Sequence, residues 1–259
     1  MAGMNYDKGA AERLEAIYRG RDIIAQRAFT LDLLKLRRGE RVLDIGSGPG
    51  FLAADMGEIV GAEGRVRGID ISPVMIERSS RWNAFAWVDF AVGDATHLPE
   101  PNEAYDVVVS TQVAEYIPDV DRFCAEACRV LRPGGRAVFL ATDWDAIAWH
   151  SQEPARMQAV LDAFGPHCAH TKLPRVFAKH LRGAGLTIDH VGVFPILNTV
   201  WRDDAYSCQA LGFIDAYIRP RKTIAADVLD AWGAEQRALG KSGAYYFLSS
   251  RVFFSVSKV

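Results

Sequence analysis

The sequence predicts an α/β protein built on a doubly wound, mainly parallel sheet. Short apolar runs alternate with helical patterns from Arg41 to Thr142, the order a parallel sheet requires. One of these runs, Val42-Leu43-Asp44-Ile45, breaks into Gly46-Ser47-Gly48-Pro49-Gly50 and opens a helix. Glycines there let a ligand approach the backbone, and the helix start presents free N–H groups to an anion. An acid, Asp70, closes the next run. Its distance from Gly46 is close to the roughly 20-residue spacing at which a doubly wound fold places the carboxylate for a ribose diol.

Taken in order, residues 10–37 read as helical, because Ile17, Ile24, Ala28, Leu31 and Leu34 recur at helical spacing before Arg37-Arg38-Gly39. Strands are expected near 41–45, 65–69, 86–91, 105–110 and 136–141, with helices near 50–60, 73–82 and 119–131. Val107-Val108-Val109 is continuously apolar, as a strand buried on both faces should be. Pro133-Gly134-Gly135 supplies turn chemistry between the third of these helices and the fifth strand. Further on, the pattern predicts helices near 153–164, 174–183, 203–218 and 223–239, and strands near 187–194 and 245–257.

Composition narrows the function classes. The chain has 259 residues, 49% hydrophobic and 24% charged, the profile of an ordinary globular protein with a substantial core. Thirty basic residues against 32 acidic ones leave a net charge of −2 and no basic footprint for nucleic acid. The start of the chain lacks a basic-then-apolar leader, and no apolar run reaches the roughly 18–20 residues of a membrane span. Cys124, Cys128, Cys168 and Cys208 form no C-x-x-C pair and have no histidine at zinc spacing, so no metal site is expected. A cytoplasmic, reduced protein without a membrane or nucleic-acid partner, monomeric or homodimeric, is the expectation.

The glycine turn reads G-x-G-x-G with an acid just upstream. A dinucleotide site wants G-x-G-x-x-G and would place a repelled pyrophosphate beside Asp44. An acid there suits a ligand with a positive amino group. With VLDIGSGPG at 42–50, GIDIS at 68–72, GDATHLP at 93–99, YDVVVSTQVAEYIPD at 105–119 and RVLRPGG at 129–135, the chain resembles the class I S-adenosylmethionine-dependent methyltransferases. Among them it is most similar to small-molecule enzymes such as the ubiquinone/menaquinone and arsenite methyltransferases.

The resemblance implies a Rossmann-like sheet of seven strands with the last one antiparallel, and a single methyltransferase domain over 1–259. Within it, 1–38 would form a helical lid over the cofactor and 39–142 the cofactor-binding core. Residues 143–185 and 200–244 would be insertions capping the substrate, and 186–199 with 245–259 the final strand pair. S-adenosyl-L-methionine would be the donor and S-adenosyl-L-homocysteine the product. Gly46, Gly48 and Asp44 would surround its methionine end, and Asp70 would take the ribose hydroxyls. Ile71 would pack on the adenine, with Met75 helping to close that pocket; Asp94 would read the adenine amino group, and Ala95 would offer a backbone N–H. Thr111 and Gln112 would lie near the transferring methyl, with Tyr18 contributed by the lid.

On the acceptor side the match ends at Thr142. Relatives often carry histidines or aromatics after the fourth strand, where this chain has Glu115 and Tyr116. His150, following the fifth strand, is the candidate general base, because a neutral imidazole suits proton removal near pH 7. Tyr116, Trp144 and Tyr246 are candidate substrate contacts, and Arg251 is a further pocket candidate on the last strand. The aromatics in and beside the insertions favour an aromatic or hydrophobic acceptor, methylated on O, N or C. Alternatives are a non-catalytic S-adenosylmethionine-binding scaffold, an arsenite methyltransferase, and a nicotinamide dehydrogenase. Arsenite lacks a recognisable cysteine pattern here, and a dehydrogenase would need the longer glycine spacing. Ser110-Thr111-Gln112-Val113 also lacks the Asn/Asp-Pro-Pro-aromatic motif of DNA base methylation.

Overall fold

A computed structural model describes residues 8–259; the start of the expected 1–38 segment, residues 1–7, lies outside the described residues. Five strands, β1 (Arg41–Ile45), β2 (Arg65–Asp70), β3 (Val88–Val92), β4 (Tyr105–Thr111) and β5 (Leu131–Thr142), run parallel. Two longer strands, β7 (Leu186–Asn198) and β8 (Phe247–Lys258), complete the sheet, and β8 lies antiparallel to both β5 and β7. The order is β3-β2-β1-β4-β5-β8, with β7 on the far side of β8. It is the expected Rossmann-like plan with one addition. A two-residue strand, β6 (Ala148–Trp149), pairs with Phe247 and Leu248 of β8, prolonging the row that β5 occupies.

Side chains alternate across the sheet with period two. Leu43, Ile45, Val108, Phe139 and Phe254 face a core completed by α5 (Val120–Val130) and α7 (Pro174–Gly183). Val42, Val107, Val109, Leu140 and Phe253 face the opposite core, completed by α2 (Arg21–Leu34) and α3 (Phe51–Val60). Two helix starts are locally encoded. Ser72 accepts from the Met75 N–H, with Pro73 opening α4 (Pro73–Trp82), and Asp119 accepts from the Arg122 N–H at α5.

A third core lies beyond one end of the sheet. In it α6 (Pro154–Phe164), α8 (Tyr206–Arg221) and α9 (Ala226–Ser242) pack with Ile17 of α1 (Lys8–Tyr18) and Ile23 of α2. Trp232, fully buried, and Trp149 meet edge-on in it at 5.4 Å.

Several boundaries differ from the sequence reading. The helix expected over 10–37 is two helices, broken at Gly20. A Cβ there would lie 2.6 Å from Gln209 Oε1, and the next N–H, of Arg21, donates to the Asp204 carbonyl. Tertiary contact with α8 therefore overrides a continuous helical pattern. β3 starts at Val88 rather than near 86. β5 starts at Leu131, its pairing with β4 slipping between Tyr105 and Val107 so that Pro133-Gly134-Gly135 sits within the strand's span. β7 runs on to Asn198, and residues 199–246 connect it to β8.

Candidate functional site

Strand order reverses between β1 and β4, which are neighbours although distant in sequence. The loops after them diverge toward opposite faces, leaving a crevice at their carboxyl ends. The glycine turn follows β1 into this crevice. The N–H groups of Gly46 and Ser47 both donate to the Ile69 carbonyl, at 2.7 and 3.0 Å, which fixes the turn to β2. Gly46 has φ 77°, and a Cβ on it would lie 2.2 Å from Val113 Cγ2. Only glycine fits there, because the residues leaving β4 press on the turn.

Asp70, at the end of β2, is held by two backbone donors. Its Oδ2 accepts from the Gly48 N–H at 2.9 Å and its Oδ1 from the Ser72 N–H at 2.8 Å. Burial pushes its pKa up, and those two N–H groups pull against the rise. Asp44 is 2% exposed. Burial, reinforced by the Asp70 charge, raises its pKa to about 7. A carboxylate so placed calls for a positive partner, and the ammonium of an amino-acid ligand supplies one. Beside it the Ser47 hydroxyl is buried without a hydrogen-bond partner. These features fit the methionine end and the ribose of S-adenosylmethionine.

The other expected donor-side residues divide. Thr111 ends β4, and Gln112 follows it at φ 53°, unusual for a residue with a Cβ. Such backbone strain persists only where surroundings enforce it. Here the Gln112 N–H donates to the Leu140 carbonyl at 2.8 Å, and its Oε1 accepts from Gln26 Nε2 at 3.1 Å. Tyr18 lies over the turn, since a Cβ at Gly48 would be 3.6 Å from its hydroxyl. Arg27 donates to the Tyr18 carbonyl at 2.7 Å and to Asp55 Oδ2 at 3.0 Å, tying α1 and α2 to α3.

Ile71 is 40% exposed beside Asp70, open to a flat ligand. Asp94 is exposed, and its Oδ1 accepts from both the N–H and the hydroxyl of Thr96 at 2.8 Å. That backbone bond is the main cause of its lowered pKa. Ala95, next to it, packs partly buried against the α5-side core. Met75, by contrast, is 1% exposed, a position internal to α4 rather than an open pocket wall.

Two small cavities meet beneath α1 and α2. The first, about 10 Å³, is bordered by Tyr18, Gln26, Asp44, Gly46, Ser47 and Thr111. The second, about 90 Å³, shares Tyr18 and Ile23 with the first and extends past Gln112 to Tyr116, Trp144, Tyr206, Phe213 and Arg251. Tyr116 and Trp144 thus border the same cavity. Behind them His167 is fully buried. Its Nδ1 lies 2.8 Å from the Phe164 carbonyl, and burial lowers its pKa to about 4, so it is neutral.

His150 and Tyr246 are elsewhere. They border a separate surface cleft of about 460 Å³ between β6 and α6, where the His150 N–H donates to the Tyr246 carbonyl. Among the described residues no histidine borders the cavity beside Gln112, and His150 lies away from it. The reason is topological: β6 turns the chain back onto β8 and carries His150 past the crevice.

Sequence reasoning did not pair Gln26 with Gln112 and did not single out Tyr206 as a cavity wall. It also left Glu115 undeveloped. That residue is fully buried, its Oε1 accepting from the Thr142 N–H at 3.1 Å, and burial raises its pKa to about 7. An acid inside an otherwise apolar post-strand segment, Val113-Ala114-Glu115-Tyr116, was the available signal.

Residues 43–139 match the family model described as a methyltransferase domain. The chain is 41% identical to an arsenite methyltransferase of Halobacterium salinarum over 38% of this chain and 26% of that one. It is 35% identical to a ubiquinone/menaquinone biosynthesis C-methyltransferase of Teredinibacter turnerae over 43% of this chain and 47% of that one. These alignments thus span about half or less of the relatives' own length. In three dimensions it resembles a putative methyltransferase from Bacillus halodurans with a TM-score of 0.63 at 17% identity, covering 90% of this chain and 99% of that one, a likeness of fold.

Proposed function

We propose that this chain, whose residues 43–139 match a methyltransferase domain, uses S-adenosylmethionine to transfer a methyl group to a small, partly hydrophobic molecule. The observation that carries the reading is Asp70. Two backbone N–H groups fix its carboxylate beside the Gly46–Gly48 turn, leaving lone pairs on both oxygens for a ribose diol. When bound, S-adenosylmethionine supplies a methyl group already activated by the attached sulfonium.

The chain's own work is then chiefly positioning. Asp44 holds the ammonium, and Gln112, braced by Gln26, stands between the donor pocket and the larger cavity. Tyr116, Trp144 and Phe213 give the acceptor aromatic walls, while α1 and α2 exclude water from above. Orientation of this kind supplies roughly 7–11 kcal/mol of barrier reduction. A metalloid acceptor fits poorly, because burial pushes the Cys168 thiol up to about 12, keeping it protonated near neutral pH.

Calorimetric titration with S-adenosylhomocysteine, with NADH as control, tests the reading. Micromolar binding in wild type that is lost in Asp70→Ala supports it. Binding of NADH alone, or no binding by the folded protein, sinks it.

A further inference from the structure

Arg251 projects from β8 into the third core and borders the 90 Å³ cavity while only 1% exposed. Its Nη1 donates to Thr142 Oγ1, and its guanidinium lies 4.6 Å from the Tyr206 ring centre and 5.7 Å from that of Trp144. Its Nε–H is buried without a partner, and so is the Nε1–H of Trp144 on the same cavity. Among the described residues no carboxylate approaches this guanidinium closely enough to form an ion pair.

A buried cation in such surroundings is costly, and removing it from water is repaid only by a close anion with good hydrogen bonds. The cation–π contacts with Tyr206 and Trp144 return part of that cost. Glu115 is a buried acid whose titration feels Arg251. Its Oε1 is engaged by the Thr142 N–H and its Oε2 has no hydrogen-bond partner, so it makes no hydrogen bond to the guanidinium. Internal compensation is therefore incomplete. Two unpartnered buried donors, on residues that border one aromatic cavity, call for a group with acceptor oxygens and a negative charge. A neutral carbonyl could accept these hydrogen bonds but would leave the buried charge unbalanced.

We propose that the acceptor molecule bears a carboxylate that seats on Arg251 Nε, with Trp144 Nε1 as the second donor. The substrate class is then a small aromatic or aliphatic carboxylate, entering with its apolar part between Tyr116 and Phe213. This inference rests on the methyl-transfer reading for the name acceptor, but not for the anion site itself.

The test follows the Arg251 Nε–H resonance by NMR, assigned with Arg251→Lys, during titration with acetate, benzoate, benzamide and inorganic phosphate. Each titration is run with and without S-adenosylhomocysteine, whose own affinity is measured in parallel. Acetate or benzoate should shift the resonance saturably, with benzamide and phosphate at least tenfold weaker. Arg251→Lys should weaken carboxylate binding at least tenfold and leave S-adenosylhomocysteine affinity within twofold.

The proposal is overturned if neither carboxylate moves the wild-type resonance, if benzamide or phosphate binds as well as benzoate, or if Arg251→Lys retains full carboxylate affinity. Should Arg251→Lys fail to fold, the resonance is assigned through its through-space contacts with the Tyr206 and Trp144 rings, and the wild-type titration still decides the matter. Loss of S-adenosylhomocysteine binding with the carboxylate shift intact would sink the methyl-transfer reading alone; the reverse pattern would sink the anion site alone.

Discussion

The two halves of the crevice are built by different means. On the β1–β2 side the chain presents backbone: a glycine turn locked to Ile69, and two N–H groups that aim Asp70. On the β4–β8 side it presents side chains: Gln112, Tyr116, Trp144, Tyr206 and Arg251, drawn from segments far apart in sequence. Each side also buries an acid with pKa about 7, Asp44 on the first and Glu115 on the second. The first has no hydrogen-bonded donor in common with the second, which Thr142 holds. Backbone geometry ties a site to short local motifs, whereas a side-chain wall can be reassembled from many sequences.

The sharpest way to break this comparison is at Asp70. Replacing it with alanine should weaken S-adenosylhomocysteine binding by about 10²-fold, the scale of losing charge-assisted hydrogen bonds of about 1.5–3 kcal/mol. An unchanged calorimetric affinity would remove Asp70 from the site. Next in size is Gly46→Ala, where the Val113 clash and the positive φ should lower stability by about 1–3 kcal/mol in chemical denaturation. An unchanged midpoint would show that the turn adapts to a side chain.

The acids permit a pH test. An ammonium partner favours ionised Asp44, so S-adenosylhomocysteine affinity should rise from pH 6 toward pH 7, by at most about tenfold per unit, and level off above it. Asp44→Asn should flatten that profile; a flat wild-type profile would place the ammonium elsewhere. For the ligand-free protein the sign is opposite. Asp44 and Glu115 have folded pKa values raised above the roughly 4 of an unfolded carboxylate, so the folded state holds more protons between about pH 4 and 7. Their contribution to stability is therefore full below about pH 4 and is lost as pH rises to about 7. Denaturation of wild type against Asp44→Asn at pH 5 and pH 7.5 should show the variant with the smaller decline.

The smallest effects should come from the displaced residues. His150→Ala and Tyr246→Ala border a different cleft, and each should change S-adenosylhomocysteine affinity by less than about twofold, within the roughly ±0.5 kcal/mol typical of substitutions away from a site. A tenfold loss in either would show that the two clefts communicate.

The same division explains what could be read from the sequence. The alternating apolar runs, the turn at 46–50 and the acid ending β2 are local patterns, and the elements they predicted are present in the expected order, with shifted starts at β3 and β5. The break at Gly20 was illegible because Asp204 and Gln209, which enforce it, lie far along the chain. β6 was illegible because two residues carry no periodicity. His150 looked well placed in sequence, following β5, and only the return of the chain onto β8 moves it away. Arg251 lay on an alternating strand like any other, and its burial without an ion pair appears only once Trp144 and Tyr206 are folded around it.

The register of β7 against β8 reaches its end at Asn198 and Phe247, which sit opposite each other across the ladder. Everything between them, α8 and α9 included, is in effect an overgrown hairpin loop. Closure entropy grows only as about (3/2)RT ln n, about 0.6 kcal/mol for each doubling of length, so a graft of almost any size is tolerated at such a junction. The graft is stitched to the other end of the chain by Asp22 of α2, whose Oδ2 accepts from Asn198 Nδ2 at 3.0 Å and from the Tyr206 N–H at 2.7 Å. Lineages exchanging this loop would thus alter the roof and one wall of the cavity together while the glycine turn stayed untouched. An engineer wanting a new acceptor on an old donor site would cut at the same two residues and carry Asp22 along.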